Sequence, residues 1–341
     1  MNNTLTALTG VKVGHATDAE NLTGCTVILF DKKYPVVSKS YGGAPGTFNT
    51  DISTNGKSFD ERNAIFIAGG SLTGLMSASD IMKGMIEKHI GDKDHKIINP
   101  NITGAIVFDL GVRVAQYDPS LGRKALDNVS SEPVKRGNVG AGTGTSVGKF
   151  QFLENGTKIP AIKAGVGCAL INVGNGVIVT ALSVVNALGN VVNPDGTILA
   201  GNRDTEKKFK TFDETSRFVT KDLMNTTISV VGVNIDLKTR ENYEIVANIA
   251  SHGQIRAINP VNTSIDGDTV FVFSTEENDR LLNDYGKYFK TSSWPLFDVD
   301  VVGQAAAKAV QESIYDAVFQ AESISFEGAY NGIIPSVKDY K

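Results

Sequence analysis

Apolar and polar residues alternate along this chain in short blocks of two kinds. Runs at 26–30, 64–68, 105–110, 167–173, 177–185, 226–235 and 269–274 are rich in β-branched residues and bounded by turn residues, and they predict strands. Three stretches carry apolar side chains every three or four residues instead, the signature of helices buried on one face. In 75–90 that face holds Leu75, Ala78, Met82, Met85 and His89; 239–258 behaves alike, and 303–321 aligns Ala307, Val310, Ile314 and Ala317. The two kinds of block do not alternate regularly. That argues against a doubly wound or barrel plan and for layered α+β, with helices covering two stacked sheets.

Glycine separates the blocks, clustering at 42–46, 69–70, 137–148 and 165–176. The 35 glycines outnumber the 10 prolines, which points to tight turns and close backbone approaches more than to rigid linkers. One segment stands apart. Residues 201–225 are densely charged with no apolar face, and the buried-strand pattern Thr226-Thr227-Ile228-Ser229-Val230-Val231 follows at once. Composition alone reads the segment as a solvated surface linker.

With 341 residues, 41% hydrophobic and 21% charged, the chain is globular and long enough to bury a core without disulfides or metals. A net charge of −4 leaves no basic excess to neutralise phosphates, so nucleic acid is not an expected partner. Cys25 and Cys168 lie in apolar runs and read as buried thiols, and His15, His89, His95 and His252 have no metal-ligand spacing, so no cofactor or metal is expected. The first ten residues lack the basic and apolar regions of a leader, and no apolar run approaches the roughly 20 residues of a membrane span. The expectation is a cytoplasmic protein with no membrane partner.

The candidate chemistry narrows by elimination. Gly140-Ala141-Gly142-Thr143-Gly144-Thr145-Ser146-Val147-Gly148-Lys149-Phe150 tempts as a phosphate loop. However, Thr143 stands where Walker A needs its first glycine, Phe150 where it needs Ser or Thr, and Val147 breaks a dinucleotide pattern counted from Gly142. What remains is a glycine-rich turn delivering Lys149, either an oxyanion donor or a surface charge. His252 could serve a Ser-His-Asp triad, but no GxSxG elbow exists and it falls mid-helix, so a surface or satisfied histidine is favoured. Asp266-Gly267-Asp268 pairs two carboxylates before a strand, reads most simply as a turn, and is too short for an EF-hand loop. One option uses the boundary at 225/226: cleavage there would give Thr226 a free α-amine with an ordinary pKa of about 7.7–8.0, so hydroxyl and base would share one residue.

These motifs, taken in order, carry a resemblance that runs from about residue 6 to about residue 325. Gly10-Val11-Lys12-Val13-Gly14-His15, Leu22-Thr23-Gly24-Cys25-Thr26-Val27, Gly42-Gly43-Ala44-Pro45-Gly46-Thr47, Ala68-Gly69-Gly70-Ser71 and Phe108-Asp109-Leu110-Gly111 come first. The glycine-rich run 137–149, Val185-Asn186-Ala187, Asn225-Thr226-Thr227 and Asp266-Gly267-Asp268-Thr269 complete the set. Together they resemble the DmpA-like aminopeptidases and the NylC-like nylon-oligomer hydrolases.

The resemblance implies a self-processing N-terminal-nucleophile hydrolase with a four-layer αββα sandwich, a single catalytic domain cut at Asn225–Thr226. The products would be an α chain of residues 1–225, ending in a charged mobile tail at 201–225, and a β chain of 226–341, with four such heterodimers in a homotetramer. It implies Thr226 as nucleophile and Asp266 and Asp268 as the groups that orient and polarise its hydroxyl and amine. The aminopeptidase branch has Ser and Glu at these two places, so the aspartates resemble the nylon-hydrolase branch. By the same resemblance Asn186 is an oxyanion donor, Lys149 keeps the Thr226 amine partly deprotonated and stabilises negative charge, and Tyr117 lines the substrate cleft, with core packing its equal alternative. The substrates implied are small peptides or 6-aminohexanoate oligomers. A β- or D-aminopeptidase, an acyltransferase like the ornithine acetyltransferases, and a binding protein that never cleaves are the other readings.

Overall fold

The structure is a computed structural model that describes residues 2–53, 57, 61–110, 112, 115–150, 161–204, 208–215, 225–278, 298–326 and 332–340. Its main strands are β1 (Val11–Asp18), β2 (Thr23–Ser40), β3 (Glu61–Ala68), β4 (Ile102–Ile106), β5 (Val166–Gly174), β6 (Val177–Asn186), β7 (Thr226–Ile235) and β8 (Thr269–Asn278). Its main helices are α1 (Ser77–Glu87), α2 (Ser120–Asp127), α3 (Arg240–Ala257) and α4 (Asp298–Gln320).

The long strand β2 belongs to two sheets at once. Its first half pairs with β1, from Val11 against Phe30 to Asp18 against Thr23, and with β3, where Cys25 faces Ala68. Its last residues pair with β8, where Val36 faces Phe273 and Ser40 faces Thr269. The first sheet continues from β3 to β4 in parallel; the second runs β5-β6-β7-β8-β2, with β7 and β8 parallel.

Three apolar layers hold this plan together. Ile28, Ile65 and Ile67 of the first sheet meet Val184, Ile228, Val230 and Phe271 of the second in a core between the sheets. Ile81 and Met85 of α1, with Leu121 and Leu126 of α2, cover the outer face of the first sheet against Val27 and Phe66. Val246 and Ala250 of α3, with Val310 and Ile314 of α4, cover the second against Val179, Val231 and Val272. The result is the expected four-layer αββα sandwich. Every residue of strand β7 is buried because both its faces are covered, and each fully buried Val or Ile there contributes about 1.5–3 kcal/mol. Gly253 lets α3 and α4 approach, since a Cβ there would stand 2.2 Å from the Ala307 carbonyl oxygen.

The structure also differs from the sequence expectation in detail. β1 and α2 are additional elements, and β2 runs on to Ser40 through Asp31-Lys32-Lys33-Tyr34-Pro35, a polar stretch with a proline. The strand expected over 105–110 ends at Ile106, because Asp109 turns inward to accept hydrogen bonds from Gly70 N–H at 2.8 Å and Thr23 Oγ1 at 2.5 Å. Of the charged segment 201–225, residues 205–207 and 216–224 lie outside the described residues. The described part is tied to the body: Asn190 Nδ2 donates to Lys210 O at 2.8 Å, and the Phe209 ring stacks on Tyr340 at 4.8 Å. Cys25 and Cys168 are buried free thiols, and burial pushes both up to about 12. No described helix is long and apolar enough to cross a membrane.

Candidate active site

Thr226 opens β7, and the register of the sheet chooses its neighbours. On one side it faces Asn186, the last residue of β6. On the other, the parallel pairing of β7 with β8 sets Ile228 against Thr269, so the residues just before β8 run alongside the residues just before β7. An isolated parallel bridge joins Asn225 to Asp266. The Asn225–Thr226 peptide, Asn186 and the Asp266-Gly267-Asp268 turn therefore meet at one end of the second sheet.

At the centre of the cluster is the Asn225 carbonyl. Gly267 N–H donates to its oxygen at 2.7 Å, and the Thr226 hydroxyl donates to the same oxygen at 2.5 Å. Thr226 is 4% exposed. A backbone donor and an adjacent hydroxyl thus both address the peptide that precedes the strand.

The two aspartates are held differently. Asp268 accepts the Thr227 N–H on Oδ1 at 2.5 Å and the Asn262 N–H on Oδ2 at 2.9 Å. Burial, reinforced by the nearby Asp266 carboxylate, pushes the Asp268 carboxyl up to about 7 despite those donors. Asp266 accepts both the N–H and the hydroxyl of Thr263 on Oδ2, at 2.8 and 2.6 Å. Its Oδ1 is buried and has no hydrogen-bond partner among the described residues, which leaves a carboxylate oxygen ready to receive a donor. The turn is fastened from behind by the glycine segment at 42–46. Tyr41 N–H donates to Asp268 O at 2.8 Å, Ala44 N–H to Asp266 O at 2.8 Å, and Gly43 N–H to Thr263 O at 3.0 Å. A Cβ on Gly42 would lie 2.1 Å from Asp266 O, so only glycine permits this seating.

The glycine-rich turn at 137–149 approaches from the other side. Gly148, at φ +75, turns the chain so that the Lys149 ammonium donates to Asn186 Oδ1 at 2.7 Å and Asn186 O at 3.0 Å. Ser146 N–H donates to the same Oδ1 at 3.2 Å, and Asn186 Nδ2 donates to Phe108 O at 2.7 Å. Two donors on one side and a carbonyl on the other fix which way the amide points. Lys149 therefore reaches Thr226 through Asn186, its register partner. Loss of water around Lys149 pushes its ammonium down to about 7, against the pull of the Asp266, Asp109 and Asp268 carboxylates. Burial thus shifts the two groups in opposite senses, each toward its neutral form.

Tyr117 lies on the first sheet's side of the molecule. It is 3% exposed in the layer under α1 and α2; its ring lies against Gly70 and its hydroxyl is 2.9 Å from Ser77 Oγ. His252 is exposed on α3, the surface position expected of it. No cluster of three or more metal-ligating side chains occurs among the described residues.

Three groups escaped the sequence reading as site elements. Asp109 anchors the loop whose Phe108 carbonyl holds Asn186; it stood in the sequence as part of the landmark Phe108-Asp109-Leu110-Gly111 and as a carboxylate inside an apolar run, with no role given to it. Lys163 is fully buried and donates to Gly142 O at 3.0 Å and to Ala164 O, bracing the glycine turn; a lysine within Ala161-Ile162-Lys163-Ala164 was the corresponding signal. Gly267 contributes through its backbone, which no side-chain pattern reveals.

Comparison with known proteins bears on this geometry. The model of peptidase family S58 matches residues 3–330. An uncharacterised aminopeptidase of Mycobacterium tuberculosis is 30% identical over 358 residues, covering 98% of both chains. The 6-aminohexanoate-oligomer endohydrolase of Paenarthrobacter ureafaciens is 29% identical over 283 residues, covering 79% of this chain and 74% of that one. Among solved structures, the L-aminopeptidase D-Ala-esterase/amidase of Ochrobactrum anthropi, described as a variant of the Ntn-hydrolase fold, superposes with a TM-score of 0.67 at 22% identity. That match covers 99% of this chain and 91% of that one. A β-aminopeptidase from Burkholderia sp. superposes at 0.68 with 18% identity, covering 100% and 92%.

Proposed function

The chain belongs to peptidase family S58 and is a hydrolase, and from that premise we propose that it matures by cutting itself between Asn225 and Thr226 and then uses Thr226 as nucleophile. The observation that carries the reading is the Asn225 carbonyl oxygen, which receives the Thr226 hydroxyl at 2.5 Å and the Gly267 N–H at 2.7 Å.

In maturation the Thr226 Oγ bonds to the Asn225 carbonyl carbon, the C–N bond to Thr226 breaks, and the hydroxyl proton ends on the released amine. Water then hydrolyses the ester. The products are chains 1–225 and 226–341. In turnover the same oxygen attacks a substrate amide while the new α-amine takes its proton and passes it to the leaving amine; water releases the acyl group.

Asp266 and Asp268 orient the hydroxyl and the new terminus, and the free Oδ1 of Asp266 is an acceptor of the kind an ammonium group needs. Lys149 keeps the amine partly deprotonated by like-charge repulsion, and its bond to Asn186 orders the amide whose second N–H is the side-chain donor to the oxyanion. The substrates are small peptides or 6-aminohexanoate oligomers, the classes named by the relatives, and the working assembly is a homotetramer of cleaved heterodimers.

Intact-mass measurement of freshly purified protein tests the reading. Two chains split at 225/226 are expected from the natural sequence, one undivided chain from Thr226→Ala, and two again from Thr226→Ser. Normal processing of Thr226→Ala, or an undivided natural chain that hydrolyses amides, refutes it.

A further inference from the structure

We infer that the backbone N–H of Gly267 is the oxyanion donor for the acyl group carried on Thr226, in self-cleavage and in turnover alike. The inference rests on the reading of Thr226 as nucleophile and adds a catalytic group to it. The N–H lies 2.7 Å from the carbonyl oxygen that becomes negative when Thr226 Oγ attacks Asn225. That is hydrogen-bond distance before any charge develops, and the bond strengthens as charge grows on the acceptor.

The extension to turnover follows from covalent identity. The maturation ester joins the Asn225 acyl carbon to Thr226 Oγ, and an acyl-enzyme formed from substrate joins its acyl carbon to the same oxygen. The two share one acyl site provided the turn stays put. Asn225 does pair with the turn, through its N–H to Ile265 O at 3.3 Å, but the other anchors are independent of residue 225: Tyr41, Gly43 and Ala44 hold the carbonyls of Asp268, Thr263 and Asp266, and Asp268 is clamped by the Thr227 and Asn262 N–H groups. Release of residue 225 leaves the buried Gly267 N–H without that acceptor, in a place where only an incoming carbonyl or water can supply another.

Glycine at this position has a steric reason as well. A Cβ on residue 267 would lie 2.9 Å from Thr226 Oγ1 and 3.1 Å from Ala44 O, so a side chain would crowd the nucleophile.

The test compares Gly267→Ala with Gly267→Pro, followed by intact mass during cell-free synthesis. Both add carbon near Thr226, and only proline removes the N–H. Cleavage at 225/226 is expected to be at least about 100-fold slower in the proline variant than in the alanine variant, the usual loss for one oxyanion donor. Replacement of Gly267 by glycolic acid through suppressor-tRNA incorporation deletes the N–H with no added bulk, and settles the matter if the proline chain does not fold. After complete cleavage, the glycolate variant should take up acetyl from p-nitrophenyl acetate on its 226–341 chain about 100-fold more slowly than the natural protein. Cleavage or acetylation of the glycolate variant at the natural rate overturns the role of Gly267 and leaves Thr226 standing. A natural protein that neither cleaves nor acetylates at Thr226 overturns the reading beneath it.

Discussion

Asp268→Asn isolates what a buried carboxyl costs this fold, and is best made in a Thr226→Ala background so that both chains remain uncut. The asparagine keeps shape and burial but cannot ionise. Its amide nitrogen cannot accept, so either the Thr227 or the Asn262 N–H loses its acceptor, at about 1–3 kcal/mol. The ionisation contribution does depend on pH. In the folded protein burial and Asp266 hold the Asp268 carboxyl at about 7, against an ordinary 3.8. Between those values the folded state keeps a proton that the unfolded chain has released, so this group makes stability fall as pH rises.

Each pH unit in that range costs at most about 1.4 kcal/mol, and the fall ends once the folded carboxyl has itself ionised. The asparagine variant escapes that loss. Urea titrations of Thr226→Ala and Thr226→Ala/Asp268→Asn at pH 5 and pH 8 should therefore show the gap between them, the stability of the single variant minus that of the double, falling as pH rises, by at most about 1.4 kcal/mol per unit. A gap that stays constant, or widens with pH, refutes the argument that burial of this carboxyl opposes its ionisation.

Other substitutions test the supports of the site. Gly42→Ala places a Cβ 2.1 Å from Asp266 O and must push the turn away; a stability loss of about 1–3 kcal/mol in urea and slower cleavage at 225/226 by mass are expected. Lys163→Met removes a fully buried ammonium that burial and repulsion from Lys149 hold down to about 7. Between about 7 and its ordinary 10.5 the unfolded chain binds a proton that the folded protein lacks, so Lys163 makes stability rise with pH, by at most about 1.4 kcal/mol per unit. Comparing uncut chains with and without Lys163 from pH 7.5 to 10, the slope of urea stability should be shallower without it; equal slopes would contradict the assignment.

Much of the secondary structure was legible because burial and period coincide. Strand β7 reads as a run rich in β-branched residues and has the bounds expected, and α3 differs from expectation by one residue at each end. Where one strand serves two sheets, the coincidence fails. The middle of β2, around Lys32, Lys33 and Pro35, crosses between the sheets with exposed and half-buried positions, so its composition resembles a turn although its backbone continues. Helix α2, Ser-Leu-Gly-Arg-Lys-Ala-Leu-Asp, is too short to show a period and is held by packing over β1 and α1.

The candidate site divides along the same line. Local pattern by itself determined that residue 226 begins a buried strand after a charged segment, that two aspartates stand in a turn before another strand, and that glycine clusters mark close approaches. Their joining was decided only by the tertiary structure. Parallel pairing of β7 with β8 sets Asp268 and Gly267 beside residues about 40 positions earlier, and antiparallel pairing with β6 sets Asn186 opposite Thr226. Hydrophobic periodicity states which face of a strand is buried and is silent about which strand lies beside it. Likewise, the lowered ammonium of Lys149 and the raised carboxyl of Asp268 are properties of desolvation and proximity, which exist only once the layers have closed around those side chains.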